Sequence, residues 1–402
     1  MFRAAVRRWV RAWWVLPWLA PVLVWALLRW RWVFISLDPA LAEFTVRDLL
    51  SPRALFLIAA INLIPLLGLA GLWVHRRLGF WRAEGLAVVA ALVVVAGCEW
   101  VLRRPAVQSA VLLSANARLL PGDWHLKEPL LLQLELQSVR KPDAREAVAL
   151  IGSSQVVIGF DAPELAGRLG RPVYRRAIAG MFPLEMALAQ DLLLTPRPGA
   201  ALLYLTPLDP MARFTLQRDW GRMLATPRGL AGLTEALGPS LVRQNARTLV
   251  EWAWAARCRL WALRDMARQV LFHLAGPGEL PAAEPAVAEA AMPAKLQKDP
   301  AYIDASFRAL EQVLRRMTAE GVDVLVMQGQ VKPSFRARFD DAYWAQAEER
   351  LVRLVEASGA RYIPLSAYAP DIGPDDWRDS THVSEAGRRK LTDAAARLLA
   401  AP

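Results

Sequence analysis

Hydrophobic residues follow two different patterns along this chain. The first hundred residues contain three long apolar runs, at 12–28, 54–74 and 85–102, with few charged residues inside them. Each run has about the 17–25 residues that an α-helix needs to cross the hydrocarbon core of a bilayer. The first run is rich in Trp and lacks the small-residue cleavage site of a signal peptide. The pattern therefore predicts about three transmembrane helices.

Beyond residue 146 the apolar runs are short and alternate with helical stretches. One such stretch, 341–359, has helical periodicity and ends in Gly359, as helices commonly do. Strands that alternate with helices are typical of an α/β fold, a parallel sheet with helices on both faces, in three layers. The expected strands lie in the runs 147–152, 172–180, 201–207, 322–328 and 361–367.

These patterns divide the chain into three parts. Residues 1–103 form the transmembrane region, 104–145 a connecting helix and strand, and 146–402 the α/β domain. Two segments interrupt the strand–helix alternation of that domain. They are a mostly helical insertion at 211–274 and a Pro- and Ala-rich loop at 275–300.

The charge of the chain supports a membrane location. The formal net charge of +11 suits a protein that lies against anionic lipid head groups. Arg residues cluster at 3–11, before the first apolar run, and at 76–82, between the second and third. Because Lys and Arg are retained on the cytoplasmic side, we expect residues 103–402 to lie outside the cytoplasm. An external domain without a nucleic-acid-binding motif excludes nucleic acid as the partner of this basic chain.

The insertion is rich in Arg and Trp, and two interpretations of it stay open. It can form an interfacial helix, with the aromatic rings in the head-group layer and the guanidinium groups on phosphates. It can equally pack on the sheet and leave its Arg side chains in water. The residues concerned are Trp252, Trp254, Trp261, Arg247, Arg257, Arg264 and Arg268.

Candidate chemistry begins at the first strand of the α/β domain. Gly152 ends that strand, and Ser153 and Ser154 follow where the chain must turn into a helix. A nucleophilic Ser needs exposure at the carboxyl end of a strand, close to backbone N–H groups that can hold an oxyanion. An ordinary Ser-rich turn or helix cap gives the same three letters.

A second motif follows the last predicted strand. His382 is one of only four His residues, and it lies three positions after Asp379. A Ser nucleophile needs a base, usually His, and that His needs an orienting carboxylate. The alternative is that Asp379 or Ser384 merely caps the helix that follows.

Together, Gly152-Ser153-Ser154 and Asp379-x-x-His382 resemble the SGNH (GDSL-like) hydrolase superfamily, over roughly residues 145–400 without the insertion. The G-S-S turn is similar to that of its membrane-anchored branch, which includes the DltD-like proteins of D-alanine transfer to lipoteichoic acid and the acetyl-transfer proteins of alginate synthesis. The resemblance implies a flavodoxin-like α/β/α domain.

By position, the resemblance implies Ser154 as nucleophile, His382 as base and Asp379 as its orienter. It also implies an oxyanion hole formed by the backbone N–H groups of Ser154 and Gly180. The family usually places an Asn after the third strand, but the residues at 205–210 are LTPLDP, without Asn. Two cationic side chains beyond the fourth strand, Lys332 and Arg336, are candidates for binding an anionic substrate, although a solvated loop explains them as well.

The resemblance implies an acyltransferase or esterase that modifies an envelope polysaccharide or related polymer, with an integral-membrane O-acyltransferase as partner. The Arg- and Ala-rich composition is typical of a GC-rich bacterium, in which the external domain would lie in the periplasm. A non-catalytic SGNH-like scaffold and a plain deacetylase are the alternatives. No cluster of His, Cys and carboxylates predicts a metal, and no Gly-rich fingerprint predicts a dinucleotide, so no cofactor is expected.

Overall fold

The computed structural model describes residues 145–211, 220–263, 299–368 and 372–400, together with positions 89, 92–93, 95–104 and 107. The apolar runs at 12–28 and 54–74 lie outside these residues, as do nearly all of 104–145 and of the loop 275–300. The third run is described only in part. Among the described residues, no helix is both long enough and apolar enough to cross a membrane.

The described residues form an α/β domain around one parallel sheet of five strands. The strand order is β2-β1-β3-β4-β5, and all four neighbouring pairs are parallel. This order is that of flavodoxin-like doubly wound sheets, in which β1 and β3 flank the point where the strand order reverses. The strands are β1 (Val148–Gly152), β2 (Val173–Ala177), β3 (Ala200–Leu205), β4 (Asp323–Gln328) and β5 (Arg361–Ile363).

Each of the five strands predicted for the α/β domain is present, although most are shorter than their apolar runs, and the strand predicted within 104–145 lies outside the described residues. β2 ends at Ala177 because Ile178 to Met181 form a turn, and β5 ends at Ile363 because a short helix follows. Both are edge strands, so each has a neighbour on one side only.

Twelve α-helices connect and cover the strands within the described part of the chain. Their bounds are α1 (Ser154–Gly159), α2 (Ala162–Leu169), α3 (Pro183–Leu194), α4 (Trp220–Leu224), α5 (Pro227–Gln244), α6 (Ala246–Arg257), α7 (Arg259–Ala262), α8 (Pro300–Ala319), α9 (Pro333–Arg336), α10 (Asp341–Ala357), α11 (Leu365–Tyr368) and α12 (Glu385–Ala400).

Hydrophobic residues of the strands point alternately into two cores. In β1, Ala149 and Ile151 pack into a core shared with α3, α5, α6, α8 and α10. Val148 and Leu150 pack into a second core shared with α1, α2 and α12. Because successive residues of a strand face opposite sides, both faces of the sheet are buried under helices. The three-layer α/β/α arrangement follows.

Polar residues at the helix ends explain where several helices begin and stop. The carboxylate of Asp161 accepts a hydrogen bond from the Glu164 amide at the start of α2, and Asp340 caps α10 in the same way. Gly359, predicted to end the helix at 341–359, has φ +73°, the left-handed conformation that Gly adopts most easily after a helix.

The insertion is helical where it is described, as predicted. It contains α4 to α7, and α5 is kinked at Gly238, where φ is +73° and Pro239 follows. Its apolar face packs into the core that contains Ala149 and Ile151 of β1, through residues such as Leu233 and Leu249. The insertion therefore belongs to the helical layer on one face of the sheet.

One side chain of the insertion contradicts an interfacial role. Trp252 is only 2% exposed, and its ring packs so closely on Gly221 that a Cβ there would lie 2.5 Å from it. It faces the core because α6 is amphipathic and Leu249, Trp252 and Ala255 share its inner side. Trp254 and Trp261 are 66% and 44% exposed, and Arg264 and Arg268 lie outside the described residues.

Candidate active site

Ser154 lies at the sharp turn between β1 and α1. Ser153 is the N-cap, and Ser154 is the first helical residue, at the carboxyl end of a central strand. Gly152 permits this turn, because its φ is +157° and a Cβ would lie 2.5 Å from Cγ2 of Val156 and 3.1 Å from the Tyr204 carbonyl oxygen. Ser154 is thereby held half-buried at the end of the sheet where the strands have their carboxyl ends.

The His382 loop is closed by its own backbone. The amides of Arg378 and Asp379 donate to the His382 carbonyl at 2.9 and 3.2 Å. The Ser380 carbonyl accepts a hydrogen bond from the Lys332 amide at 3.0 Å, which joins the loop to the segment after β4. These bonds fix the position of the imidazole ring relative to the sheet.

Ser154, His382 and Asp379 form one hydrogen-bonded chain. The Oγ of Ser154 lies 2.8 Å from Nε2 of His382. The other ring nitrogen, Nδ1, lies 2.8 and 2.9 Å from the two carboxylate oxygens of Asp379. A carboxylate can only accept, so Nδ1 carries the proton in the neutral ring, and Nε2 is left to accept from the Ser154 hydroxyl.

Asp379 is kept ionised by hydrogen bonds. Partial burial raises the pKa of its carboxyl, but the hydrogen bond from His382 and the Thr381 amide outweigh this, and the pKa falls to about 2. Oδ1 accepts from the amides of Thr381 and His382 at 3.0 and 2.9 Å. Asp379 therefore holds a negative charge beside the ring and does not cap α12.

Gln155 is a site residue that the sequence did not suggest. Its Nε2 donates to the carbonyls of Thr381 and Gln330 at 3.2 and 3.3 Å, so the residue after Ser154 is bound to the residue before His382. The side chain is 7% exposed. A polar residue in the otherwise apolar start of α1 was the only available signal, because its partners are up to 226 positions away.

Gly180 lies in a tight turn just beyond β2. The Met181 amide donates to the Ile178 carbonyl at 2.9 Å, and Gly180, at the third position, has φ +74°. That combination matches a type II turn, which favours Gly at this position. β2 is the neighbour of β1, and the Ile178 amide donates to the Gly152 carbonyl at 3.3 Å. The turn therefore lies at the same end of the sheet as Ser154.

The segment without the expected Asn is a buried turn after β3. The Asp209 carboxylate accepts from the Thr206 amide at 2.6 Å, which closes the turn. Burial raises the pKa of Asp209 to about 7, although the hydrogen bonds from Thr206 lower it in part. This carboxyl serves its own turn, and it is a second polar group that the sequence gave no reason to single out.

The two cationic candidates differ in their surroundings. Lys332 joins the His382 loop through its backbone amide. The guanidinium of Arg336 is paired with Asp341 at 2.7 Å and lies 4.5 Å from the centre of the Trp344 ring. Arg336 thus has structural partners on α10.

Among the residues that the structure describes, no group of three His, Cys, Asp or Glu side chains could hold a metal ion. No model of a known protein family matches the chain, and a search of curated proteins found no match either. The geometry of the site and the motifs of the sequence therefore carry the functional argument.

Proposed function

We propose that this protein is a serine acyltransferase or esterase that works through an acyl-Ser154 intermediate. The observation that carries the proposal is the chain from Ser154 Oγ to His382 Nε2, at 2.8 Å, with Asp379 bound to Nδ1 on the far side of the ring. These are the distances at which a His base can activate a Ser hydroxyl.

The proposed reaction has two halves. His382 takes the proton of the Ser154 hydroxyl while Oγ attacks the carbonyl carbon of the donor. The leaving group departs with that proton from His382, and the acyl group stays on Ser154. An acceptor hydroxyl then gives its proton to His382 and attacks the acyl carbon of the ester. The bond to Oγ breaks, Oγ takes the proton back from His382, and the new ester is released. With water as acceptor the outcome is hydrolysis. The charge of Asp379 stabilises the imidazolium formed in each half.

Two backbone amides are proposed to hold the oxyanion, those of Ser154 and Gly180. Ser154 opens α1, and Gly180 occupies the turn beyond the neighbouring strand, which supports this pairing. Loss of one oxyanion donor costs a typical hydrolase about 10² to 10³ in rate. The missing Asn at 205–210 therefore favours a slow, partner-dependent transferase over a fast hydrolase.

The setting of the reaction is proposed from the sequence. The three apolar runs and the Arg clusters support an anchor in the cytoplasmic membrane, with the SGNH-like domain on the periplasmic side. The resemblance to membrane-anchored SGNH proteins supports an envelope polysaccharide or related polymer as acceptor. It also supports an integral-membrane O-acyltransferase that brings acyl groups across the bilayer. Lys332, beside the His382 loop, is proposed to contact an anionic substrate.

A fluorophosphonate probe tests this function directly. We expect the probe to modify Ser154 of the purified full-length protein. We expect no modification in Ser154→Ala and very slow modification in His382→Ala, because the hydroxyl then has no base. Ser153→Ala is the matched control, since it removes the adjacent hydroxyl, which lies in the same turn. Modification that persists in Ser154→Ala would exclude Ser154 as the nucleophile.

A non-catalytic scaffold is the second candidate, and the absent Asn at 205–210 favours it. Such a protein would bind a polysaccharide or a membrane acyltransferase through the same domain. A strain that lacks the gene and carries His382→Ala separates the two functions. Full polymer modification in that strain supports the scaffold, and its loss supports catalysis. An assay with an acceptor hydroxyl in place of water distinguishes the transferase from a deacetylase.

A further inference from the structure

One surface outside the candidate active site combines exposed aromatic rings with positive charge. Within α6, exposed residues recur every three or four positions, at 247, 250, 254 and 257, so they share one side of that helix. Two more exposed residues lie next to it in the chain, Arg243 at the end of α5 and Trp261 in α7. We call this surface the α6 outer face. Its members are Arg243, Arg247, Val250, Trp254, Arg257 and Trp261.

The apolar members of the α6 outer face are unusually exposed for their size. Val250, Trp254 and Trp261 are 58%, 66% and 44% exposed, whereas Trp252, two positions from Trp254, is buried at 2%. Large apolar side chains grouped on one surface commonly mark a contact with a partner or a membrane. Trp has an apolar ring and a polar N–H, and it is enriched where one side of a surface is apolar and the other wet.

The α6 outer face carries positive charge, and none of its members is acidic. The only acidic residue between positions 243 and 263 is Glu251. Its carboxylate lies 2.8 Å from Arg222 on α4, in a half-buried ion pair. The three Arg residues of the outer face thus favour an anionic partner, and with Trp they make the combination that binds lipid head groups.

A contact beside the third apolar run indicates a bilayer as that partner. Arg103 directly follows the run 85–102, which the sequence predicts to cross the membrane. Its guanidinium donates to the Arg257 carbonyl, at the end of α6, at 2.6 Å. The end of the α6 outer face is therefore held at the residue where the chain leaves that run, which is where a membrane surface is expected.

We propose that the α6 outer face docks on the anionic phospholipid surface of the membrane that anchors the chain. Trp254 and Trp261 insert at the level of the head groups, and Arg243, Arg247 and Arg257 contact phosphates.

Hydroxyl-radical footprinting of the full-length protein in nanodiscs tests the proposal. Trp254 is the reporter, and Tyr343, 37% exposed on α10, is the internal reference. We expect oxidation of Trp254, relative to Tyr343, to be at least about five-fold lower in discs with phosphatidylglycerol than in discs of phosphatidylcholine alone. Equal oxidation in the two kinds of disc would overturn the proposal.

Two charge-reversed variants separate lipid from protein as the cover of this surface. Arg243→Glu with Arg247→Glu should restore the oxidation of Trp254 in anionic discs. Arg315→Glu with Arg353→Glu makes the same change of charge on α8 and α10, at side chains that are 60% and 67% exposed, and should leave Trp254 protected. Protection that survives the first pair would mean that protein covers Trp254. Fluorophosphonate labelling of Ser154 in the same samples reports on the proposed function separately.

Discussion

At the residue scale, the candidate site depends on which group donates and which accepts. Ser154 and His382 are 228 positions apart in the sequence and 2.8 Å apart in space. The imidazole can accept from Ser154 only while its other nitrogen donates to Asp379. The same carboxylate accepts two amide hydrogens of its own loop, so it orients both the ring and the loop.

Asp379→Asn should impair the site without removing the loop bonds. The amide oxygen of Asn can still accept from the backbone, but its NH₂ group would face Nδ1 and favour the wrong tautomer of His382. We expect the rate of fluorophosphonate labelling to fall by about 10³- to 10⁴-fold. Asp375→Asn, an exposed neighbour with the same change of charge, should label at the normal rate. A rate for Asp379→Asn close to that of the unmodified protein would argue against the orienting role.

Asp209 should make stability depend on pH in a defined window. Its pKa is about 7 in the folded protein and ordinarily 3.8, so the folded state binds more protons between these values. The contribution of Asp209 to stability is therefore greatest below about pH 4 and is lost as the pH rises through 7, by an amount on the order of a few kcal/mol. Asp209→Asn keeps an acceptor for the Thr206 amide but cannot ionise.

Unfolding of the two proteins from pH 4 to pH 8 provides the measurement. We expect the difference in stability to move in favour of Asp209→Asn as the pH rises. A constant difference across this range would show that Asp209 has an ordinary pKa.

At the scale of single elements, the turn from β1 into α1 is the most constrained part of the site. The strand, the turn and the first helical residue are consecutive, so a small displacement of Gly152 moves Ser154 directly. Gln155 ties the same turn to the His382 loop. Both ends of the hydrogen bond between Ser154 and His382 are thus held from α1.

Gly152→Ala should displace Ser154. A Cβ at this position meets Val156 at 2.5 Å in a backbone conformation that only Gly adopts easily. We expect a loss of stability of about 1–3 kcal/mol and a clear loss of fluorophosphonate labelling. The measurements are thermal unfolding and labelling rate.

Two further variants test the cause of that effect. Val156→Ala in the same chain should recover part of the labelling because it removes the contacted methyl group. Gly167→Ala, in α2 with open space around its Cα, should be neutral or slightly stabilising. If Gly152→Ala behaved like Gly167→Ala, the turn would be more tolerant than the contacts indicate.

At the scale of the α/β domain, the sheet joins two cores that are covered by different helices. β1, β3 and β4 each have a strand on both sides, and their residues are buried, except Asp323 at the start of β4. β2 and β5 are edge strands with partly exposed residues. The candidate site lies at the carboxyl end of a central strand, in a sheet that is packed against helices on both faces.

Hydrogen exchange should follow this arrangement. We expect the slowest backbone amides in β1, β3 and β4, because they open only when most of the domain unfolds, and faster exchange in β2 and β5. Mass spectrometry of peptides after exchange at neutral pH would measure this order. Faster exchange in β1 than in β5 would mean that the site is built on a locally unstable strand.

The sequence alone determined the features that depend on local pattern. Alternation of short apolar runs with helical stretches was enough to predict five parallel strands between helices, because a buried strand and an amphipathic helix each have a characteristic period. The motifs at 152–154 and 379–382 were visible because strand ends, small residues and polar turns are local too. The transmembrane runs, outside most of the described residues, stay predictions.

Only the tertiary structure decided which distant groups meet. The strand order, the burial of Trp252, the raised pKa of Asp209 and the bridge from Gln155 to Thr381 all depend on partners far away in the sequence. Local periodicity predicts that a side chain faces a core, but it does not predict which of the two cores the side chain enters or which residues it contacts there. Those contacts are fixed by packing the whole domain, since each buried polar group must find its partner in the folded chain.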